Sequence, residues 1–217
     1  EGDIHIHDFD FYSLTTTCCQ IDILRLFHGG FSTGHGYLRE PQGIASYAAL
    51  AAIAIQSNQN DQHGGQSIPN YGMAEGVAKT FLRAYRRCLT EAVEDKLDLD
   101  DAKDAVFEAM DAAKEATDET ARLENTPAYD RAVAAALCGS FSLSGKDAAK
   151  IIARSRKRAV EAADRDTYQA MEGFVHNLNT MHSRAGAQTP FSSVNYGMDT
   201  SPEGRMVIKN MLLATEE

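Results

Sequence analysis

The spacing of hydrophobic residues changes along the chain, and these changes divide it into regions. Isoleucine alternates with histidine in the opening "IHIH", aromatic residues follow, and glycine recurs in "HGGFSTGHGY". Alternation with a period of two and closely spaced glycines are typical of strands and tight turns. We therefore predict strands and turns over residues 3–39.

From about Gly43 to Asn58, the segment "GIASYAALAAIAIQSN" is apolar at nearly every position. A helix that is hydrophobic all round has to be buried on most of its faces. The sequence therefore predicts a buried helix here, followed by a polar loop that contains glycine in "NDQHGGQSIPNYG".

The middle of the chain repeats hydrophobic positions at intervals of three and four residues. This spacing predicts two amphipathic helices, the second capped by Asp98. The repeating positions are Val77, Phe81, Tyr85, Cys88 and Ala92 in the first helix, and Ala102, Val106, Met110, Ala113, Thr117 and Thr120 in the second.

Capping residues locate two further helices. Thr126 followed by Pro127 indicates the start of a shorter helix. Ser144 can cap a long helix over residues 146–182, for which we expect a break or bend near Gly173.

The last part of the chain combines a strand, predicted in "AQTPFSSVNYG", with a helix that begins at Ser201 and Pro202. Strands at both ends with helices between them indicate the α/β class with one long helical excursion. We divide a single, partial domain into residues 1–73, 74–182 and 183–217. Because the chain starts without Met and stops inside a helix, we expect a piece of a larger protein.

Composition argues against several classes of protein. The 217 residues are 43% hydrophobic, enough to bury a core, but there is no run of about 18 apolar residues and no signal-peptide pattern. This predicts a cytoplasmic protein without a membrane partner. A net charge of −10 argues against a nucleic-acid partner. The four cysteines fit neither a disulfide framework nor a CxxC zinc site.

Two of those cysteines stand side by side in "TTTCCQID". In a strand, successive side chains point to opposite faces, so Cys18 lies on the polar face with Gln20. Cys19 lies on the apolar face with Ile21 and behaves as a small hydrophobic residue. Cys18 is the candidate for reactivity, with simple packing as the alternative, and a strained ring excludes a disulfide between the two.

Other motifs stay open to two interpretations. His5 and His7 in "HIHD" could bind a metal ion with Asp8, or could form hydrogen bonds beside a polar pocket. "NDQHGGQS" has the composition of a phosphate loop but lacks its spacing and its lysine. The basic cluster "KIIARSRKR" is either a solvated helix face or a phosphate site.

Five separated blocks occur in the order found in one enzyme family. They are "HIHDFDFY", "TTTCCQID", "GGFSTGHGYLREP", "QSNQNDQHGGQSIP" and "HNLNTMHSRAGAQTPFSSVNYG". Together they resemble the anaerobic ribonucleoside-triphosphate reductases, which are the glycyl-radical or class III ribonucleotide reductases. The blocks span nearly the whole chain, whereas residues 74–165 match only in helical character.

The resemblance implies an α/β barrel of ten strands, of which this chain would form about the first half. It also implies that Cys18 is the catalytic cysteine on the 2′ side of the substrate ribose, since a thiol S–H bond is weak enough to donate a hydrogen atom. Cys19 would have no catalytic role. His5 matches a family position that lines the pocket for substrate and for formate, the expected reductant.

The same resemblance implies partners. The substrates would be ribonucleoside triphosphates, and dNTP or ATP effectors would bind helices near a homodimer interface. Residues 43–59 and 146–182 are the candidate helices, and Lys150 with Arg154 are the candidate contacts for effector phosphates.

The resemblance also places the cofactors elsewhere. An activase that uses S-adenosylmethionine and an iron–sulfur cluster would generate the glycyl radical. That radical, the finger-loop cysteine and a C-terminal zinc site would all lie outside this chain. The isolated chain is therefore expected to bind no metal or cofactor and to be inactive.

Two other functions stay open on the sequence. One is a non-catalytic helical module for effector binding or assembly, in which Cys18 is merely packed. The other is a metalloprotein that uses His5 and its neighbours. A glycyl-radical acyl-lyase shares the barrel, but its adjacent cysteines occur in the finger loop, whereas "CCQID" precedes the first long helix.

Overall fold

The computed structural model describes residues 18–32, 36–59, 64–181 and 189–216. In chain order the elements are β1 (Cys19–Gln20), α1 (Ile23–Phe27), β2 (Phe31–Ser32), β3 (Tyr37–Leu38), α2 (Ile44–Asn58), β4 (Gln66–Pro69), α3 (Tyr71–Leu97), α4 (Lys103–Thr117), α5 (Pro127–Phe141), α6 (Gly145–Thr180), β5 (Ser192–Asn195) and α7 (Pro202–Glu216). The fold therefore mixes helix with strand and is mostly helical, which agrees with the predicted α/β class.

A small parallel sheet brings the two ends of the chain together. Its strand order is β1-β4-β5, and both pairings are parallel. Parallel neighbours need long crossover connections. The first crossover contains α2, and the second contains α3 to α6, so the helical excursion is an insertion between two adjacent strands. Strands β2 and β3 form a separate antiparallel hairpin.

The buried helix predicted near residues 43–58 is present as α2. Tyr47, Ala51 and Ile55 are at most 2% exposed, and they recur at four-residue spacing along the helix. The helix packs against α3 and α6. Its small alanine side chains allow this close approach, as the apolar pattern predicted.

The two predicted amphipathic helices are α3 and α4, with one correction at Asp98. That residue ends α3 in a left-handed conformation (φ 53°, ψ 49°), and its N–H donates to the Glu94 carbonyl. The Glu94 carboxylate instead accepts the N–H of Ala102 at 2.9 Å, just before α4 begins at Lys103. The prediction that Asp98 caps the second helix is wrong, because a left-handed residue closes the first one.

The long helix α6 begins as predicted but is not broken. Ser144 Oγ accepts the N–H of Asp147 at 3.1 Å, a typical N-cap hydrogen bond. The helix then runs through Gly173, where we expected a break or bend. Met171 and Phe174 flank this glycine and are at most 1% exposed. Their packing outweighs the penalty of roughly 1 kcal/mol for glycine inside a helix.

Within the strands and turns predicted over residues 3–39, the strand considered for "TTTCCQID" is short where the structure describes it. It ends at Gln20, because Asp22 Oδ1 accepts the N–H of Arg25 at 3.1 Å and so begins α1. Phe27 is fully buried on this helix. Residues 15–17 of the predicted strand lie outside the described residues.

Two hydrophobic clusters stabilise the fold, and α3 and α6 contribute to both. One cluster packs α3 to α6 together and includes Val106 and Leu137. The other includes Ile55 and Ile68 and joins α1, α2, α7 and the sheet. One face of the sheet therefore rests on the second cluster, and the opposite face points away from it.

Candidate active-site face

The neighbouring cysteines lie on opposite sides of the chain at β1. Cys18 and Gln20 are exposed, whereas Cys19 and Ile21 are half-buried. This alternation agrees with the face assignment predicted from the sequence. The side chain of Cys18 is accessible from outside the core.

The register of the sheet places four polar side chains on the same side as Cys18. Gln20 pairs with Ser67, which in turn pairs with Ser193. Asn195 lies two positions beyond Ser193, so it shares that side. We name these five residues, Cys18 included, the polar strand face. Neighbouring strands lie roughly 4.8 Å apart, so Gln20, Ser67 and Ser193 stand side by side, with Cys18 and Asn195 toward opposite ends of the face.

An amide holds Cys19 from the core side. Asn58, the last residue of α2, donates from Nδ2 to Cys19 Sγ at 3.1 Å and to Gln66 Oε1 at 2.8 Å. Gln66 pairs with Cys19 in the sheet and is 2% exposed. Ser67 Oγ donates to the Cys19 carbonyl at 3.5 Å. These contacts tie the backbone beside Cys18 to the end of α2.

Glu40 links the segment before α2 to helix α3. Its carboxylate forms an ion pair with Lys79 and accepts the N–H of Gly29 at 2.9 Å. Lys79 Nζ also donates to the Pro41 carbonyl at 3.2 Å and to Tyr47 Oη at 3.4 Å. The hydrogen bonds from Lys79 and from Gly29 hold the pKa of Glu40 below its usual value. The pair thereby anchors the residues that flank the β2–β3 hairpin.

Backbone geometry explains the glycines of this region. Gly30 has a φ of +81°, and a Cβ placed there would lie 2.5 Å from the Leu38 carbonyl oxygen. Gly29 and Gly64 also have positive φ angles, of +72° and +99°. The backbone conformation of these turns is sufficient to explain the glycines, without a role in ligand binding.

The structure separates the predicted effector residues from the cysteines. Lys150 and Arg154 are exposed one turn apart on α6, and they line a pocket of about 350 Å³ against α3. Asn177 lies about 40 Å further along the same helix, where its carbonyl accepts a hydrogen bond from Gln56 of α2. His5 lies outside the described residues.

Sequence reasoning missed a second basic surface. Lys79, Arg83 and Arg87 recur every four residues on α3, and α4 contributes Lys103 and Phe107 to the opposite wall. Together they line a groove of about 660 Å³, which we call the α3–α4 groove. The i, i+4 spacing of the three α3 residues was the available signal, because it places them on one side of a helix.

Two further properties concern only the part of the chain that the structure describes. None of its helices combines the length and hydrophobicity needed to cross a membrane. It also contains no group of three or more His, Cys, Asp or Glu side chains placed to bind a metal ion. The histidine pair of "HIHD" lies outside these residues.

Fold and site together define an α/β protein with an accessible cysteine among polar residues on a parallel sheet. A family model described as anaerobic ribonucleoside-triphosphate reductase matches residues 1–217, and the chain belongs to this family. This agrees with the resemblance found in the five sequence blocks.

Individual relatives carry the same description at low identity. The chain is 22% identical over 213 residues to the anaerobic ribonucleoside-triphosphate reductase of Enterobacteria phage T4, a match that covers 97% of the chain and 26% of the relative. It is also 22% identical over 213 residues to the protein of that name from Salmonella typhimurium, covering 97% of the chain and 22% of the relative. The chain spans about a quarter of the length of these curated relatives.

Proposed function

We propose that the full-length protein containing this chain reduces ribonucleoside triphosphates to deoxyribonucleoside triphosphates by radical chemistry. One observation carries this proposal: in a chain of the reductase family, Cys18 is exposed on the polar strand face while its neighbour Cys19 turns toward the core. A hydrogen-atom donor has to reach the substrate, and only one of the two cysteines is directed to do so.

Cys18 is the proposed hydrogen donor on the 2′ side of the ribose. In the overall reaction the 2′-hydroxyl leaves as water and hydrogen replaces it, while formate supplies two electrons and becomes carbon dioxide. Oxygen and nitrogen donors hold their hydrogen too strongly for this step, whereas a thiol does not. The carboxamides of Gln20 and Asn195 on the polar strand face are suited to hydrogen-bonding ribose hydroxyls.

His5 is proposed to line the pocket for substrate and formate. The assignment rests on its place in "HIHD", a block shared with the family. An imidazole can donate a hydrogen bond to a carboxylate such as formate or to a ribose oxygen. This role needs no metal ion at the histidine pair.

Effector binding is proposed for the pocket that contains Lys150 and Arg154. Neither side chain forms an ion pair within 4 Å among the described residues. The pKa of Asp147, which lines the same pocket, is lowered mainly by a hydrogen bond from Ser144 and in part by the charge of Lys150. The proposed effectors are dNTPs and ATP, and the proposed assembly is a homodimer. Helix α6 carries Lys150 and Arg154, and about 40 Å further along it contacts the end of α2. It is therefore the element proposed to couple the effector pocket to the polar strand face.

Radical generation is assigned to other parts of the full-length protein. We propose that a glycyl radical, introduced by an activase that uses S-adenosylmethionine and an iron–sulfur cluster, supplies the oxidising power. A zinc site is likewise assigned to other parts of the full-length protein. The isolated chain should therefore not turn over.

The three parallel strands are proposed to be part of a barrel of ten strands, with this chain as about half of it. In that arrangement the polar strand face would point into the barrel. We retain the division of one partial domain into residues 1–73, 74–182 and 183–217. The described helices α3 to α6 then form the excursion between β4 and β5.

The test uses the full-length protein, activated anaerobically, with Cys18→Ala as the variant. We expect no deoxyribonucleotide product, although electron paramagnetic resonance still detects the glycyl radical. The control variant Gln20→Ala lies on the same face and should retain measurable turnover, since it supplies no hydrogen atom. Product formation by Cys18→Ala at the rate of the unchanged protein would refute the role of this thiol.

A further inference from the structure

One row of three residues crosses the sheet at the Cys18 end of the polar strand face. In the register of the strands, Cys18 stands beside Gly65, and Gly65 stands beside Phe191. Backbone hydrogen bonds fix this row: the N–H of Cys19 donates to the Gly65 carbonyl at 3.2 Å, and the N–H of Gln66 donates to the Phe191 carbonyl at 2.9 Å. Because neighbouring strands lie roughly 4.8 Å apart, the backbone of Phe191 is about 10 Å from that of Cys18.

The side chain of Phe191 lies on the same side of the sheet as Cys18. Exposure alternates from this residue along β5, where Phe191, Ser193 and Asn195 are exposed and the residues between them are half-buried. Phe191 is 80% exposed. An aromatic ring thus stands in the open beside hydroxyls, carboxamides and a thiol. A large apolar surface left in water is unfavourable, so this ring is suited to a partner that covers it.

The Phe191 ring lies over Gly65, which places it on the Cys18 side of its own strand. A Cβ on Gly65 would be 3.2 Å from Cδ1 and 3.4 Å from Cε1 of this ring. Gly64, the preceding residue, has a φ of +99°, a conformation that favours glycine. Gly65 has no positive φ, so its backbone conformation does not require glycine. The space that the ring occupies explains the absence of a side chain there.

Two rows of different chemistry therefore lie next to each other on this face. One contains the thiol of Cys18, the bare backbone of Gly65 and the ring of Phe191, and the next contains polar side chains such as Gln20 and Ser67. A ribonucleoside has the same division, with a flat base and a ribose that carries hydroxyls. The base is attached at C1′, the carbon bonded to C2′, so a ribose that presents C2′ to the thiol brings its base close to the ring.

We propose that the nucleobase of the substrate stacks on the ring of Phe191, and that Gly65 leaves room for the ring in this position. The inference rests on the function proposed above and adds a substrate contact to the same site. Stacking suits a site that accepts several bases, because every base has a π face and no base-specific hydrogen bond is needed. The polar row then faces the ribose hydroxyls.

Steady-state kinetics of the activated full-length protein test this contact, with the effector saturating in each assay. Phe191→Ala should raise KM at least about fivefold while kcat changes less, since a stacking partner is lost. The increase should be larger for GTP than for CTP, because a purine has the larger face. Phe191→Trp keeps a ring and should stay within about twofold of the unchanged protein. Tyr196→Ala is the matched control, since Tyr196 is an exposed aromatic residue that lines a pocket with Met211 on the core side of the sheet.

Gly65→Ala tests the assigned role of the glycine. The added methyl group would crowd the Phe191 ring and displace it, so KM should rise, but less than in Phe191→Ala. In the double variant the two effects should be less than additive, because the methyl group then has no ring to displace. Simple addition of the two effects would overturn the role assigned to Gly65.

Thermal unfolding separates a substrate contact from a structural one. If the ring packs against another part of the full-length protein, Phe191→Ala will lower the melting temperature and leave KM unchanged, which would overturn the proposal. Equal increases in KM for GTP and CTP, with no rescue by Phe191→Trp, would also overturn it. A lack of turnover in the unchanged protein would instead refute the reductase function itself, so the two failures are distinct.

Discussion

Asn58 and Cys19 are joined by a hydrogen bond of 3.1 Å from Nδ2 to Sγ, across 39 positions of sequence. The contact fixes the less exposed of two adjacent thiols, and strand geometry then turns the other one outward. The same amide donates to Gln66 Oε1 at 2.8 Å. The end of α2 thereby sets the orientation of the strand that carries Cys18.

Asn58→Leu is expected to destabilise the protein by about 1–3 kcal/mol, because the buried carbonyl oxygen of Gln66 loses its donor. Urea denaturation measures this change. Replacing both partners, as Asn58→Leu with Gln66→Met, should recover part of the loss, since two apolar groups then face each other. If the two single changes simply add in the double variant, the side chains are not coupled.

In the activated full-length protein, the same Asn58→Leu change should lower kcat more than it raises KM. Without the Asn58 hydrogen bonds, strand β1 shifts and the Cys18 thiol moves away from its reactive position, while the groups that contact the substrate remain. The glycyl radical signal should be unchanged. A pure increase in KM would contradict this positioning role.

Cys19→Ala is expected to leave the chemistry intact and to cost about 1 kcal/mol of stability, because it removes a small side chain and one acceptor of the Asn58 amide. Cys19→Ser keeps an acceptor and should be closer to the unchanged protein. Turnover and thermal unfolding are measured on both variants. Loss of turnover in a folded Cys19→Ser variant would show that Cys19 takes part in the reaction.

Glu40 should make stability depend on pH in the acid range. Its folded pKa lies below the ordinary value of 4.5, with the hydrogen bond from Lys79 as the main cause. A lowered carboxyl pKa means that the contribution is fully present above pH 4.5 and is lost as pH falls through the folded pKa.

Thermal melts of Glu40→Gln and of the unchanged protein test this dependence. The unchanged protein should be more stable at neutral pH, and the difference should shrink as the pH is lowered below about 4. Asp118→Asn is a matched control, since Asp118 is an exposed carboxylate whose backbone closes α4. A difference for Glu40→Gln that stays constant across this range would contradict the ion pair with Lys79.

Arg156 holds the segment between α4 and α5. Its guanidinium donates to the carbonyls of Arg122 at 2.6 Å and Glu124 at 3.2 Å, and to Thr126 Oγ1 and Asp130 Oδ1 at 3.0 Å. Arg156→Lys keeps the charge, but a single ammonium group cannot reproduce these hydrogen bonds of the planar guanidinium. We therefore expect the free energy of unfolding to fall by about 2 kcal/mol.

Lys157→Gln is the control for Arg156→Lys, because it changes the next residue of α6, which is exposed. Lys157→Gln should change the free energy of unfolding by no more than about 0.5 kcal/mol. Denaturant unfolding compares the two variants. Equal, small effects for both would mean that the Arg156 contacts contribute nothing to folding.

Lys150→Gln combined with Arg154→Gln should weaken dNTP effector binding about tenfold, since two cations are lost from an exposed pocket. Titration of the full-length protein measures the affinity, and the relative amounts of deoxyribonucleotide products with different bases measure the specificity. If both quantities match those of the unchanged protein, the effector binds elsewhere.

Much of the local structure was already encoded in short stretches of sequence. The N-caps at Thr126, Ser144 and Ser201 all begin helices where the pattern predicted them. The alternation around Cys18 and Cys19 also agrees with the structure. Such features depend on residues within one turn or two positions of each other, so a linear pattern contains the necessary information.

The failures have a different origin. Asp98 is of a residue type common at N-caps but closes α3, and α6 is not broken at Gly173, whose neighbours Met171 and Phe174 are buried. The start of α1 at Asp22 shortens the strand predicted there. At Asp98 and Asp22 a second local capping contact competed with the one that we predicted, whereas at Gly173 the buried neighbours of the glycine outweighed its low helix propensity.

The sequence by itself determined the α/β class, the resemblance to the reductase family and the placement of Cys18 and Cys19 on opposite faces. Only the tertiary structure decided what surrounds them. Asn58 meets Cys19 across 39 positions, and the α3–α4 groove combines cations from two helices. Periodicity shows which face of an element is polar, but the element that packs against that face depends on long-range contacts, which a local pattern does not contain.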